Sequence, residues 1–201
     1  MKHPASVQAA LETFAALLLR WNSTVNLIAR RDEATLWKRH IEDSLQLIPL
    51  ITPRPSHAID LGSGAGFPGL VLAIATTIPF DLIESDQRKA AFLREAARIT
   101  GARAIVHASR IEATNLPPAP LVTARALAPL PELLAFADSK LAIGGVCLFL
   151  KGAKVASELT AAATQWHMRT EQFPSRTNPT GCILRISEIA RATPIRDRGP
   201  P

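Results

Sequence analysis

The residues with the clearest chemical meaning are Asp60-Leu61-Gly62-Ser63-Gly64-Ala65-Gly66-Phe67-Pro68-Gly69. They follow a short apolar run and open a helical one. Glycines between a strand and a helix let the backbone turn tightly and approach a ligand closely. A carboxylate, Glu84, ends the next apolar run, about 20 residues on, the interval at which a nucleotide-binding βαβ unit places the acceptor for ribose hydroxyls. The spacing Gly64-x-Gly66-x-x-Gly69 fits a dinucleotide site, and Asp60-x-Gly62-x-Gly64-x-Gly66 fits a site for S-adenosylmethionine. Glycine spacing alone leaves both open. Chain length favours S-adenosylmethionine, because 201 residues leave little room for the separate catalytic domain of a nicotinamide enzyme. Asp60 points the same way: it is expected to meet the cationic methionine end, whereas beside a pyrophosphate it would repel.

Two further candidates lie on the same expected edge. Glu112 comes shortly after the third strand, where a carboxylate reaches an adenine amino group or simply starts a helix. Arg125 ends the fourth strand, at the carboxyl edge where open α/β sheets bind ligands; its alternative is an ion pair with an acid such as Glu112. Arg125 is the best active-site candidate. His40 is read as a hydrogen-bonded structural residue or a substrate contact, with Asp43 one turn away to orient it, and not as a catalytic base. Phe67 borders the loop, positioned to cover a cofactor. Trp21 and Trp37 read as core aromatics.

These residues need a scaffold. Short apolar runs at His57–Leu61, Phe80–Glu84, Ala104–His107, Pro120–Ala124 and Val146–Leu150 alternate with helical segments at Leu70–Thr76, Gln87–Thr100, Pro129–Leu141 and Ala153–Thr164. This alternation predicts an α/β fold with a mostly parallel sheet and helices on both faces. His167–Phe173 and Cys182–Ile189, separated by turn residues, predict a closing hairpin. Residues 1–55 form an N-terminal helical extension: Val7, Leu11, Phe14, Leu18 and Trp21 share one helix face, and a second helix is expected over Asp32–Ile51. Residues 56–190 form the sheet domain and 191–201 a frayed tail, all in one domain.

Composition narrows the partners. A net charge of +6 favours an anionic partner. Two cysteines without a CxxC pair, and no histidine near either, predict neither a metal site nor a disulfide, consistent with a reducing cytoplasm. The uncharged run Leu61–Phe80 carries four glycines and two prolines, so it is not a membrane span. Arg20, Arg30, Arg31, Lys38 and Arg39 cluster in the extension, against Asp32 and Glu33, a charge run that is usually a solvated face.

Several motifs in order resemble one family: Trp21-Asn22, Asn26-Leu27, Arg39-His40-Ile41 with Asp43-Ser44-Leu45, the glycine loop, Glu84-Ser85, Arg88-Lys89, Phe92-Leu93, Arg125-Ala126-Leu127-Ala128-Pro129-Leu130 and Leu150-Lys151-Gly152. From about Phe14 to Gly152 the chain is similar to the bacterial small-subunit (16S) rRNA guanine-N7 methyltransferases, also called glucose-inhibited division protein B. The resemblance implies a Rossmann-like class I methyltransferase fold with a seven-stranded sheet. It implies S-adenosylmethionine contacts at Gly62, Phe67, Ile111, Glu112 and Arg125, alongside Asp60, Gly64, Gly66 and Glu84 above. It implies 16S rRNA, free or in an assembly intermediate, as substrate, with Arg30, Arg31, Arg39, His40 and Lys151 as candidate RNA contacts. A cytoplasmic monomer without membrane contact is expected. Ile28 stands where that family commonly has a threonine. Rival readings are a methyltransferase of a small molecule or protein, and a non-catalytic dinucleotide- or RNA-binding module.

The sequence also lacks certain devices. Neither Cys147 nor Cys182 follows Pro or Thr, as nucleophiles for pyrimidine C5 typically do. The segment after the fourth strand reads Thr123-Ala124-Arg125-Ala126, not the Pro-Pro-aromatic motif common among enzymes of exocyclic amines. Guanine N7 needs neither, because its ring lone pair carries no proton, so positioning can supply most of the acceleration.

Overall fold

The computed structural model describes residues 3–192. The sheet has seven strands: β1 (Ala58–Leu61), β2 (Phe80–Ile83), β3 (Ala104–His107), β4 (Ala119–Arg125), β5 (Leu141–Lys151), β6 (Trp166–Pro174) and β7 (Cys182–Arg191). The helices are α1 (Ala5–Val25), α2 (Asp43–Leu45), α3 (Gly69–Thr76), α4 (Gln87–Thr100), α5 (Leu130–Asp138) and α6 (Val155–Ala163).

The sheet order is β3-β2-β1-β4-β5-β7-β6. The first five strands are parallel, and β7 runs antiparallel between β5 and β6. The chain builds outward from β1 to β2 and β3, then returns to lay β4 on the other side of β1. The carboxyl ends of β1 and β4 therefore flank the switch point, where an open α/β sheet leaves a crevice. The expected sheet with its closing hairpin is what forms.

Local chemistry explains the boundaries. All four residues of β1 are buried, as a central parallel strand requires. Helix α4 starts where the Asp86 carboxylate accepts from the backbone N–H of Arg88 and Lys89. It ends at Gly101, whose φ of +67° continues no helix. Helix α1 buries Leu11, Phe14 and Leu18 and stops at Asn26 in the left-handed region. One core layer joins these α1 residues to Leu70 of α3 and Phe92 of α4; the other joins Leu133 and Leu134 of α5 to Phe149 and Trp166. Trp21 packs on Phe92 with ring centroids 5.8 Å apart, a core contact as expected.

Three expectations are corrected. Residues 32–51 do not form one helix. A 3₁₀ turn (Arg30–Thr35), a π-helical turn (Trp37–Glu42), α2 and a second 3₁₀ turn (Ile48–Leu50) follow one another. Ser44 Oγ donates back to the His40 carbonyl at 2.7 Å, and Pro49 interrupts the next turn. Strand β5 begins at Leu141 rather than Val146, and α5 ends at Asp138; a register shift between Ala119 and Leu121 accommodates the extra length. Arg191 is not part of a frayed tail, since it pairs with Trp166 across the hairpin; 193–201 lie outside the described residues.

Candidate functional site

Above the switch point lies a cavity of about 600 Å³, within the range of small-molecule sites. Its floor is the loop between β1 and α3. The Gly64 N–H donates to Glu84 Oε2 at 2.7 Å, and the Asp86 N–H donates to Glu84 Oε1 at 2.8 Å. Glu84 thus ties the tip of the glycine loop to the end of β2. Each of its oxygens retains a lone pair for a ligand hydroxyl. Gly64 has a φ of +55°, so its N–H can turn toward Glu84.

The structure sorts the expected residues. Gly62, Gly64, Phe67, Glu84, Ile111, Glu112 and Arg125 all line this cavity, together with His40. Asp60 and Gly66 do not. Gly66 packs in the core, where a Cβ would lie 3.1 Å from Leu70 Cβ. Asp60 is fully buried behind the loop, and its Oδ1 accepts from the Thr123 hydroxyl at 2.6 Å. A Cβ on Gly69 would lie 2.5 Å from Asp60 Cβ, so the small residue allows α3 to start against this carboxylate. Burial pushes the Asp60 carboxyl up to about 6; the Thr123 and Ser63 hydroxyls, the Gly69 N–H and Arg125 pull it part of the way back. Asp60 therefore braces β1 against β4 and α3 through Oδ1, while its Oδ2 is buried without a hydrogen-bond partner among the described residues.

The extension forms one wall. Leu27 and Ile28 line the cavity. Asn22, near the end of α1, holds this segment: its Oδ1 accepts the Ile28 N–H at 2.9 Å and its Nδ2 donates to Glu33 at 2.6 Å. The Ile28 position is apolar wall, which accounts for the hydrophobic residue there.

Arg125 is the joint between extension and sheet. Its Nη1 donates to the Arg39 carbonyl at 3.1 Å and to Asp43 Oδ2 at 3.3 Å. Its Nη2 is 2.8 Å from His40 Nδ1. The guanidinium carbon lies 4.9 Å from the Phe67 ring centre, and His40 stacks on the same ring at 4.9 Å. The ion pair considered for Arg125 is thus made with Asp43, not Glu112. Burial, the Arg125 charge and Arg39 push the His40 imidazole down to about 4, against the opposing pull of Asp32. Since Arg125 can only donate, His40 Nδ1 is the acceptor and the ring is neutral at pH 7.

A second, adjoining cavity of about 870 Å³ shares His40 and Arg125–Ala128 with the first. The turn between β6 and β7 closes it: the Thr177 hydroxyl donates to Asp43 Oδ1, and Gln46 Oε1 accepts the Arg176 N–H at 2.9 Å. Sequence reasoning gave this turn no role, and its contacts with Asp43 span 134 positions. Arg39 lies on this cavity's rim and pairs with Asp32 at 2.9 Å. Arg30 and Arg31 are exposed. Lys151 is not a surface cation: its side chain is 8% exposed and pairs with Glu158 at 2.5 Å. Cys147 is buried in the core, and Cys182 lines the second cavity, with burial pushing its thiol up. Among the described residues no cluster of ligating side chains could hold a metal, and no helix is long and apolar enough to cross a membrane.

A family model for GidB, rRNA small subunit methyltransferase G, matches residues 7–179. The chain belongs to this family. A ribosomal RNA small subunit methyltransferase G from Granulibacter bethesdensis is 58% identical, over 90% of this chain and 85% of the relative. One from Gluconobacter oxydans is also 58% identical, over 90% and 93%. Among solved structures, the O-methyltransferase TomG from Streptomyces achromogenes in complex with SAM has a TM-score of 0.60 at 14% identity, covering 92% of this chain and 91% of that one. The ribosomal protein L11 methylase from Lactobacillus delbrueckii subsp. bulgaricus has a TM-score of 0.60 at 17% identity, covering 74% and 78%. These structures share the class I methyltransferase fold.

This GidB-family chain is therefore a methyltransferase, with S-adenosylmethionine as its methyl donor. The first cavity fits that molecule: Glu84 offers open lone pairs at the glycine loop, and Ile28, Phe67 and Leu127 supply apolar wall.

Proposed function

We propose that this methyltransferase transfers the methyl group of S-adenosylmethionine to N7 of one guanine in small-subunit rRNA, acting as a monomer in the cytoplasm. The observation that carries the reading is the pair of cavities meeting at Arg125 and His40. One is set at the glycine loop, where the donor belongs. The other is bordered by Lys38, Arg39 and Lys154 and is wide enough for a flipped base. When bound, the donor supplies an electrophilic methyl group on a sulfonium. The chain's own residues orient the two partners: Glu84 and the glycine loop hold the donor's ribose, Glu112 accepts from its adenine, and Phe67 packs against it.

Guanine N7 suits this wall. Of its residues only His40 and Arg125 ionise. His40 is a weak base, held near 4 with its lone pair taken by Arg125. Arg125 cannot accept a proton. The residues shared by the two cavities offer no free base to an attacking atom that must lose a proton, and the adjoining Asp43 carboxylate is held by Arg125 and Thr177, whereas N7 has no proton to lose. Arg125 instead contributes fixed positive charge and holds the extension against the sheet. The exposed Arg30 and Arg31 and the rim residue Arg39 supply phosphate contacts, which position RNA without reading sequence.

Incubation with methyl-labelled S-adenosylmethionine and ribosomal RNA from cells lacking the enzyme tests the substrate. Label is expected in small-subunit RNA and not in large-subunit RNA or protein. Label in protein, or equally in both RNAs, contradicts the reading.

A further inference from the structure

The second cavity contains a buried ion pair that the donor site does not use. Glu158, on α6, lines its wall with a side chain 19% exposed. Its Oε2 accepts from Lys151 Nζ at 2.5 Å and from the Leu130 N–H at 2.9 Å. Its Oε1 accepts nothing among the described residues and is not sealed from solvent. Lys151, the last residue of β5, spends one N–H on Glu158 and one on the Ala128 carbonyl at 3.0 Å. An ammonium has three, so one donor is left. Leu150 pairs with Arg125 across β4 and β5, which puts Lys151 at the same carboxyl edge as the guanidinium.

Both residues line the second cavity, one with an ammonium N–H that has no partner among the described residues and one with an unpartnered carboxylate oxygen, and both heads are fixed by backbone contacts. A carboxylate with both lone pairs of one oxygen open seeks N–H groups. Guanine is the base whose pairing edge carries two adjacent donors, N1–H and N2–H, next to an acceptor, O6. Adenine reverses this order, and would set its N1 lone pair against the carboxylate. N7 lies on the O6 side of the ring, so contact of O6 with Lys151 also selects which ring edge is left for transfer.

We propose that Glu158 and Lys151 read the pairing edge of the target base, Glu158 Oε1 accepting from N1–H and N2–H and Lys151 donating to O6, and so make the second cavity selective for guanine. Leu130, at the start of α5, and Ala128 hold the two heads in register. The inference rests on the proposed function, and its test separates the two.

The test uses the full chain and two RNAs that differ at the methylated nucleotide, guanosine or inosine. Inosine keeps O6, N1–H and N7 but lacks the 2-amino group. Wild-type enzyme is expected to lose about tenfold in kcat/KM on inosine. Glu158→Gln keeps an oxygen for Leu130 and turns an amide N–H₂ toward the base; Glu158→Asp keeps the charge but withdraws it by one methylene. Both are expected to bind S-adenosylmethionine as wild type does, because Glu158 does not line the donor cavity, and to methylate the two RNAs at nearly equal, reduced rates. Variants that bind the donor normally and still discriminate, or wild-type enzyme indifferent to inosine, would overturn the assignment. Wild-type enzyme that leaves N7 of the guanosine RNA unmethylated would instead overturn the proposed function, and this is measured first.

Discussion

The Gly64 N–H and the Glu84 carboxylate, 20 positions apart, are joined by a 2.7 Å hydrogen bond. One side chain thus closes the glycine loop and offers acceptors to the ligand above it. Glu84→Ala removes both functions. S-adenosylmethionine affinity is expected to fall by about tenfold or more, the loss of a charge-assisted bond of roughly 1.5–3 kcal/mol. Calorimetric titration checks this; unchanged affinity would remove Glu84 from the site.

Gly69 is the tightest point beneath the loop. Gly69→Ala would set a Cβ 2.6 Å from Asp60 Cγ, with Asp60 fully buried and unable to swing aside. A loss of about 1–3 kcal/mol is expected from such overpacking. Gly101→Ala meets no atom within 4 Å and should cost only the left-handed strain at a φ of +67°, about 1 kcal/mol. Denaturant unfolding that ranks the two variants the other way would contradict the packing.

The Asp60 carboxyl is pushed up from 3.8 to about 6 by burial. An acid raised on folding keeps its proton in the folded chain after the unfolded chain has released it. Its contribution to stability is full below about pH 4, declines as pH rises through about 6, and is then level, with a total loss of up to about 3 kcal/mol. Asp60→Asn has no such titration. Relative to that variant, wild-type protein is expected to be more stable at pH 4 than at pH 7; a difference independent of pH would show that the folded and unfolded carboxyls titrate alike.

Arg30 and Arg31 are exposed at the first turn of the broken segment, which continues to Arg39 on the rim of the second cavity. Replacing both with Glu is expected to weaken RNA binding and flatten its dependence on salt, because each phosphate contact releases counterions. Donor affinity should change little. An unaltered salt slope would make them an ordinary solvated surface.

Much of this was legible in the sequence, for local reasons. The bounds of α4 follow from Asp86 and Gly101, which act on their own neighbours. The glycine loop with Glu84, and the hairpin of β6 and β7, rest on periodicity and turn residues at short range. What was not legible depends on distance along the chain. Residues 32–51 carry apolar residues at helical spacing, yet the helix is broken where the His40 and Asp43 side chains reach an arginine more than 80 positions away. Asp60 has the residue type of a ligand contact, and only the packing of Gly69 and Thr123 shows that it is buried behind the loop. Lys151 has the residue type of a phosphate contact, and only Glu158 shows where its charge is held.

The central claim is methyl transfer to guanine N7, and its most direct test is chemical. N7-methylation leaves a positively charged guanine whose ring is open to reduction and whose glycosidic bond is then weakened. Small-subunit RNA treated with enzyme and S-adenosylmethionine, reduced with borohydride and exposed to aniline, is predicted to break at a single guanine. RNA that has taken up the methyl group and yet stays intact through this treatment would contradict the account.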